Sequence, residues 1–173
     1  GTGTIGEPLI GLLSDFREEL DIRVFFHKRT PLLDEKSKVD SLVKRGASLV
    51  VDQDKQDAFI SLGHKPVTTS GLAFDLADVI IDCTPAGNTN KEKIYEALNN
   101  QKYCATKNKK KTFIAQGSEK GFGLPYAFGI NDSALVKNNG AYVQVVSCNT
   151  HNISSLVKTL SAGDVDKNFV SGD

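Results

Sequence analysis

Apolar and polar positions alternate along this chain in two periods, and the periods take turns. Leu9, Ile10, Leu12, Leu13, Phe16 and Leu20 recur at helical spacing and predict a helix over 7–20, with Pro8 tolerated in its first turn. Ile22, Arg23, Val24, Phe25 and Phe26 then read as a strand over 22–26. The same pattern predicts further helices over 34–45, 54–62, 71–76, 89–99, 131–138 and 149–160. Further strands are expected over 48–51, 78–83, 112–115 and 142–147, with 66–69 extended. Near the end, Val143, Val145 and Ser147 alternate with Tyr142, Gln144 and Val146, after which Ile153, Leu156, Val157 and Leu160 return to helical spacing. The segment 117–129 is rich in glycine, contains Pro125 and reads as a long loop.

Strands that alternate with helices build a parallel sheet covered on both faces. The expected fold is therefore α/β, a Rossmann-like doubly wound and mostly parallel sheet. Its strand ends should bring Cys83, Gln116 and Cys148 to one crevice. The opening Gly1, Thr2, Gly3, Thr4, Ile5, Gly6 is G-x-G-x-x-G, weak alone, but here followed by a helix and a strand. In that context the glycines allow a tight turn and close approach of backbone to a pyrophosphate. A glycine-rich linker is the plain alternative. The strand that should precede Gly1, central in such a sheet, is not in the sequence, so the fold is expected to lack its first strand and the exposed edge to seek a partner, as in a homo-oligomer. The expected division is a dinucleotide-binding domain over 1–147, a helix over 148–162 and a polar tail over 163–173.

After the second predicted element stand His27, Lys28, Arg29 and Thr30, with no carboxylate before Asp34. An acidic residue at that place binds a ribose 2′-hydroxyl, whereas basic residues receive a 2′-phosphate, so Lys28 and Arg29 favour NADP over NAD.

Cys148 sits where the last strand hands over to the last helix. Unpaired N–H groups and the positive end of the helix dipole favour a thiolate there, and the thiolate is the nucleophile. His151 lies one helical turn further on, and a capping or solvent-facing role is expected for it. Cys83 closes a strand and reads as packing, Cys104 lies in a polar stretch, and His64, in a turn between Gly63 and Pro66, is expected in solvent.

These residues resemble glyceraldehyde-3-phosphate dehydrogenases of the archaeal type (type II) nearly end to end. Five stretches carry the resemblance: Gly3 to Gly6; Lys28, Arg29, Thr30, Pro31; DVIIDCTP from Asp78 to Pro85; QGSEK from Gln116 to Lys120; and VVSCNT from Val145 to Thr150. The last is the most specific. The resemblance implies oxidation of an aldehyde phosphate to an acyl phosphate through a thioacyl intermediate. Cys148 is then the nucleophile, and Ser147, Asn149 and Thr150 contact substrate. Gly1, Gly3, Thr4, Ile5, Gly6, Lys28, Arg29, Thr84, Pro85, Gln116 and Gly117 contact NADP or NAD. It also implies that a catalytic domain bearing the general-base histidine is absent from this chain, which alone is expected to be inactive. Other readings are a semialdehyde dehydrogenase-like enzyme and a dinucleotide-binding module without turnover.

Twenty-one basic residues balance 21 acidic ones, so no net field recruits nucleic acid or a membrane surface. The run KNKKK over 107–111 reads as a solvated turn. Three cysteines without a C-x-x-C pair argue against a disulfide framework and a zinc site and for the reducing cytoplasm; no metal constellation is visible. No methionine occurs in 173 residues, which suits an excised part of a longer reading frame.

Overall fold

The computed structural model describes residues 1–100, 111–116, 120–137 and 142–161. It divides into two compact units, Gly1–Ala77 and Asp78–Asp173. Both are α/β with wholly parallel sheets, as a Rossmann-like fold requires.

The first unit contains helix α1 (Gly6–Asp15), strand β1 (Phe25–His27), α2 (Lys36–Lys44), β2 (Ser48–Val51), α3 (Gln56–Ser61), β3 (Thr68–Thr69) and α4 (Ser70–Leu76). Its strands lie in the order β1-β2-β3. Phe26, Leu49 and Val51 from the sheet close with Ile10, Val39, Leu42 and Phe59 from the helices into one buried core. Burying each of these side chains contributes about 1.5–3 kcal/mol.

The helix expected over 7–20 stops at Asp15. Arg17 turns back instead, donating to the carbonyls of Ser14 and Arg45, and Asp21 takes a positive φ of 49°. Phe16 and Leu20 are thereby left exposed, and β1 starts only at Phe25, where pairing with Ser48 begins. His64 is also corrected. Its side chain is 3% exposed, its ring packs on Phe59 with centroids 5.9 Å apart, and Nδ1 lies 3.2 Å from the Asp40 carboxylate.

The second unit contains β4 (Val79–Asp82), α5 (Gly87–Asn90), a π-helical turn (Lys91–Tyr95), α6 (Glu96–Asn100), β5 (Thr112–Gln116), β6 (Leu124–Tyr126), α7 (Ser133–Lys137), β7 (Tyr142–Val145) and α8 (Cys148–Leu160). The strand order is β4-β5-β7-β6. The short strand β6 runs inside the segment expected to be a loop. Gly123 lets it reach β7, because a Cβ there would stand 2.3 Å from the Tyr142 carbonyl oxygen.

Three rings, Tyr95, Phe113 and Tyr142, stack with successive centroids 5.0 Å apart, and Phe122 meets the stack edge-on. The Lys91 ammonium covers Tyr142 at 4.6 Å and donates to the Phe122 carbonyl at 2.7 Å. α8 buries none of its residues, so Ile153, Leu156 and Leu160 face solvent although their spacing is that of a packed helix.

Candidate functional site

The strand registers align the carboxyl ends of the second sheet. Asp82 pairs with Ala115, and Ala115 with Gln144, so the segments that follow, with Cys83, Gln116 and Ser147, leave from one edge. At that edge Asp82 is the hub. It is 4% exposed, and it accepts from the Thr84 N–H at 2.8 Å, from Asn90 Nδ2 at 2.8 Å and from the Tyr95 hydroxyl at 2.7 Å.

Burial alone would raise the Asp82 carboxyl; the donors from Asn90, Thr84 and Tyr95 outweigh it and leave it below the usual carboxylate range. The same burial, with the Asp82 hydrogen bond, pushes the Tyr95 phenol far up. Asn90 and Tyr95 stand five residues apart, and the wider π turn between them brings both onto one carboxylate oxygen. Asn90 Nδ2 also reaches Thr84 Oγ1 at 3.2 Å, and Thr84 Oγ1 accepts from the Ala86 N–H. The loop carrying Cys83, Thr84 and Pro85 is therefore held from both sides. Cys83 is half-buried, and burial pushes its thiol up, in keeping with a packing role.

Cys148 is the first residue of α8 and is exposed, with Sγ 4.0 Å from the Asn149 side-chain oxygen. Ser147 is the N-cap: its hydroxyl accepts from the Thr150 N–H at 3.3 Å and lies 3.0 Å from Thr150 Oγ1. Capping thus employs two of the residues expected to touch substrate. It leaves the N–H groups of Cys148 and Asn149 at the open helix end. His151 Nε2–H donates to the Phe128 carbonyl at 3.0 Å, and Lys158 secures the same loop through the Gly129 carbonyl.

Ser147 and Thr150 line an open depression of about 300 Å³ together with Lys120, Gly121, Pro125, Gln144 and Val146. Lys120 was quoted in a motif but given no role by sequence reasoning. It is exposed, and its carbonyl accepts from Asn88 Nδ2 at 2.9 Å. Gly117 lies outside the described residues, as does Cys104.

In the first unit the glycine-rich segment leads directly into α1, whose first bond is the Glu7 N–H on the Gly3 carbonyl at 3.0 Å. The N–H groups before it have no partner in the helix. Gly3 borders open space, with nothing within 4 Å of a Cβ built there. At the far end of β1, Lys28 is buried and donates to Glu35, a pairing invisible to a reading that looked for carboxylates only at the strand end. Arg29 is exposed and has no ion pair among the described residues. His27 Nε2 lies 3.0 Å from Asp52 Oδ1, which also accepts from Ser70 Oγ at 2.6 Å. A separate depression of about 340 Å³, lined by Arg23, Val24 and Ser48 among others, opens at the amino ends of β1 and β2 and includes none of these groups.

Parallel sheets, a glycine-rich helix start and a thiol at a second helix start define an α/β protein with a Rossmann-like fold. No family model matches the chain. It is similar to the glyceraldehyde-3-phosphate dehydrogenase of Pyrobaculum islandicum, 30% identical over 162 residues, which are 92% of this chain and 42% of that protein. It is also similar to the protein of the same name from Methanobacterium formicicum, 30% identical over 166 residues. That of Pyrobaculum calidifontis is 29% identical over 165 residues. The similarity covers nearly all of this chain, which spans about two-fifths of the length of the curated relatives it matches. No helix among the described residues is long and apolar enough to cross a membrane.

Proposed function

We propose that this chain is the cofactor-binding part of a phosphorylating, NAD(P)-dependent dehydrogenase of the glyceraldehyde-3-phosphate type, with Cys148 as its nucleophile. One observation carries the reading: an exposed thiol opens a helix at the carboxyl edge of a parallel sheet, in a chain similar over 92% of its length to a protein of that name. The residues present suit a dinucleotide. The N–H groups of Thr4, Ile5 and Gly6, ahead of the first bond of α1, lie with Gly1 and Gly3 in a segment that offers a pyrophosphate close approach. Arg29, with Lys28 behind it, favours NADP over NAD. Thr84, Pro85 and Gln116 are the second unit's candidates for cofactor contact.

In the chemistry, the Cys148 thiolate adds to the aldehyde carbon and the carbonyl oxygen takes a proton, which gives a hemithioacetal. The N–H groups of Cys148 and Asn149 stabilise charge on that oxygen. A nicotinamide dinucleotide, when held by these residues, would supply the hydride acceptor for oxidation of the adduct to a thioester. Inorganic phosphate then attacks the thioester carbon, the Cys148 thiolate leaves, and an acyl phosphate is released. Lys120, beside Ser147 and Thr150, is placed to hold a phosphate. His151 has Nε2 engaged by the Phe128 carbonyl, so the base for the hemithioacetal proton is assigned to the part of the relatives this chain does not span.

Iodoacetamide labelling with peptide mapping tests the nucleophile, alongside NADPH formation from glyceraldehyde 3-phosphate and phosphate. Cys148 should label first among the three cysteines and turnover should be absent. Preferential labelling of Cys83 or Cys104 would remove the assignment, and Cys148-dependent turnover would show that a local group replaces the missing base. The engagement of His151 Nε2 by the Phe128 carbonyl also supports a second reading, a dinucleotide-binding module without turnover of its own. Dinucleotide binding without preferential Cys148 labelling would favour it.

A further inference from the structure

Four charged side chains of the first unit form an unbroken line. Lys28 Nζ donates to Glu35 Oε2; Glu35 Oε1 accepts from Lys38 Nζ at 3.3 Å; and the same ammonium reaches Glu7 Oε2 at 3.3 Å. The ends of this line coincide with the two places assigned above to the cofactor. Glu7 lies in the first turn of α1, directly after the glycine-rich segment, and Lys28 follows β1 immediately.

The Lys28 side chain is 10% exposed. An ammonium so far from water is costly without an anionic partner, and Glu35 is the partner it has. The hydrogen bond from Lys28, with that from Lys38, holds the Glu35 carboxyl below its usual range despite some burial, so Glu35 is charged at neutral pH. Any other anion that reaches Lys28 must compete with a carboxylate already in place. Arg29, exposed and without an ion pair among the described residues, presents no such competition.

We propose that Glu35 is a specificity-determining residue of the dinucleotide site, an internal competitor that holds Lys28 until a ribose 2′-phosphate displaces it and so moderates the preference for NADP over NAD. The inference rests on the dinucleotide reading given above. A 2′-phosphate brings a charge of about −1.5 to −2 against the single charge of a carboxylate, so it can win the exchange. Glu35 is not stranded when it loses, because Lys38 still holds it. A ligand with a free 2′-hydroxyl has nothing to exchange and leaves the pair intact.

The test is a calorimetric titration of the 173-residue chain with NADP and with NAD, in the wild type and in Glu35→Gln, Lys38→Gln, Lys28→Gln and the Lys28→Gln, Glu35→Gln pair. Glu35→Gln should tighten NADP about tenfold and change NAD less than about twofold, and the gain should vanish in the Lys28→Gln background. Lys38→Gln should act in the opposite direction, weakening NADP about threefold, because Glu35 then has only Lys28 to hold. An NADP-to-NAD ratio unchanged by Glu35→Gln and Lys38→Gln would overturn the inference alone, as would an equal gain for both ligands. Failure of both dinucleotides to bind the wild type would overturn the proposed function and this inference with it.

Discussion

Two carboxylates, one in each unit, are held below their usual range by opposite means. Asp82 is buried and bound by uncharged donors: the Thr84 N–H, the Asn90 amide and the Tyr95 hydroxyl. Glu35 lies near the surface and is bound by two ammonium groups. The first arrangement fixes a loop, because neutral donors in a dry interior have no other partner to turn to. The second can be exchanged, because each ammonium accepts whichever anion is stronger. The strand-end loop with Thr84 and Pro85 is accordingly held in place by neutral donors, whereas the Lys28–Glu35 pair after β1 rests on charge alone.

Removing the hub should have the largest effect. Asp82→Ala strands three donors in the interior and should cost about 3 kcal/mol or more of unfolding free energy, measured by urea denaturation. A loss under about 1 kcal/mol would mean that the loop is held by something else. Tyr95→Phe keeps the ring stack and removes one charge-assisted bond, so its cost should be about 1.5 kcal/mol.

Acid should separate the two regions further. A carboxylate with a depressed folded-state pKa stabilises the protein above its unfolded value of about 3.9, and that contribution is lost as pH falls through the folded value. The urea midpoint of the wild type should therefore fall below about pH 4, and Asp82→Asn should flatten that fall. An identical acid slope in the variant would show that Asp82 does not supply it.

The smallest effect belongs to the exchangeable pair. Replacing Lys28 and Glu35 together by Met and Gln should change stability by less than about 1 kcal/mol, because the desolvation cost of a largely buried ion pair offsets most of its attraction. A cost comparable with that of Asp82→Ala would erase the distinction between the two carboxylates.

Local periodicity carried most of the secondary structure. The strand over 48–51 and the helix that starts beside Cys148 follow from apolar spacing and from a Ser-x-x-Thr cap, both short-range. Where periodicity misled, distant groups intervened. Arg17 turns the chain by bonding to the Arg45 carbonyl, which ends α1 early, and β6 exists because β7 lies alongside it. His64 looked like a turn residue in solvent, yet Phe59 and Asp40 enclose it.

The candidate site divides the same way. Its chemical inventory is legible in the residues themselves, from the glycine-rich start through the basic cluster to VVSCNT, since residue type and spacing set what each group is able to do. Which of those groups remain free was decided only by tertiary structure. Lys28 is taken by a carboxylate seven residues on, Ser147 is spent on its helix, and Lys120 and Cys148 are left to solvent. Covalent chemistry belongs to the side chain, whereas availability depends on neighbours that sequence order does not reveal, because burial and pairing are properties of the folded surroundings.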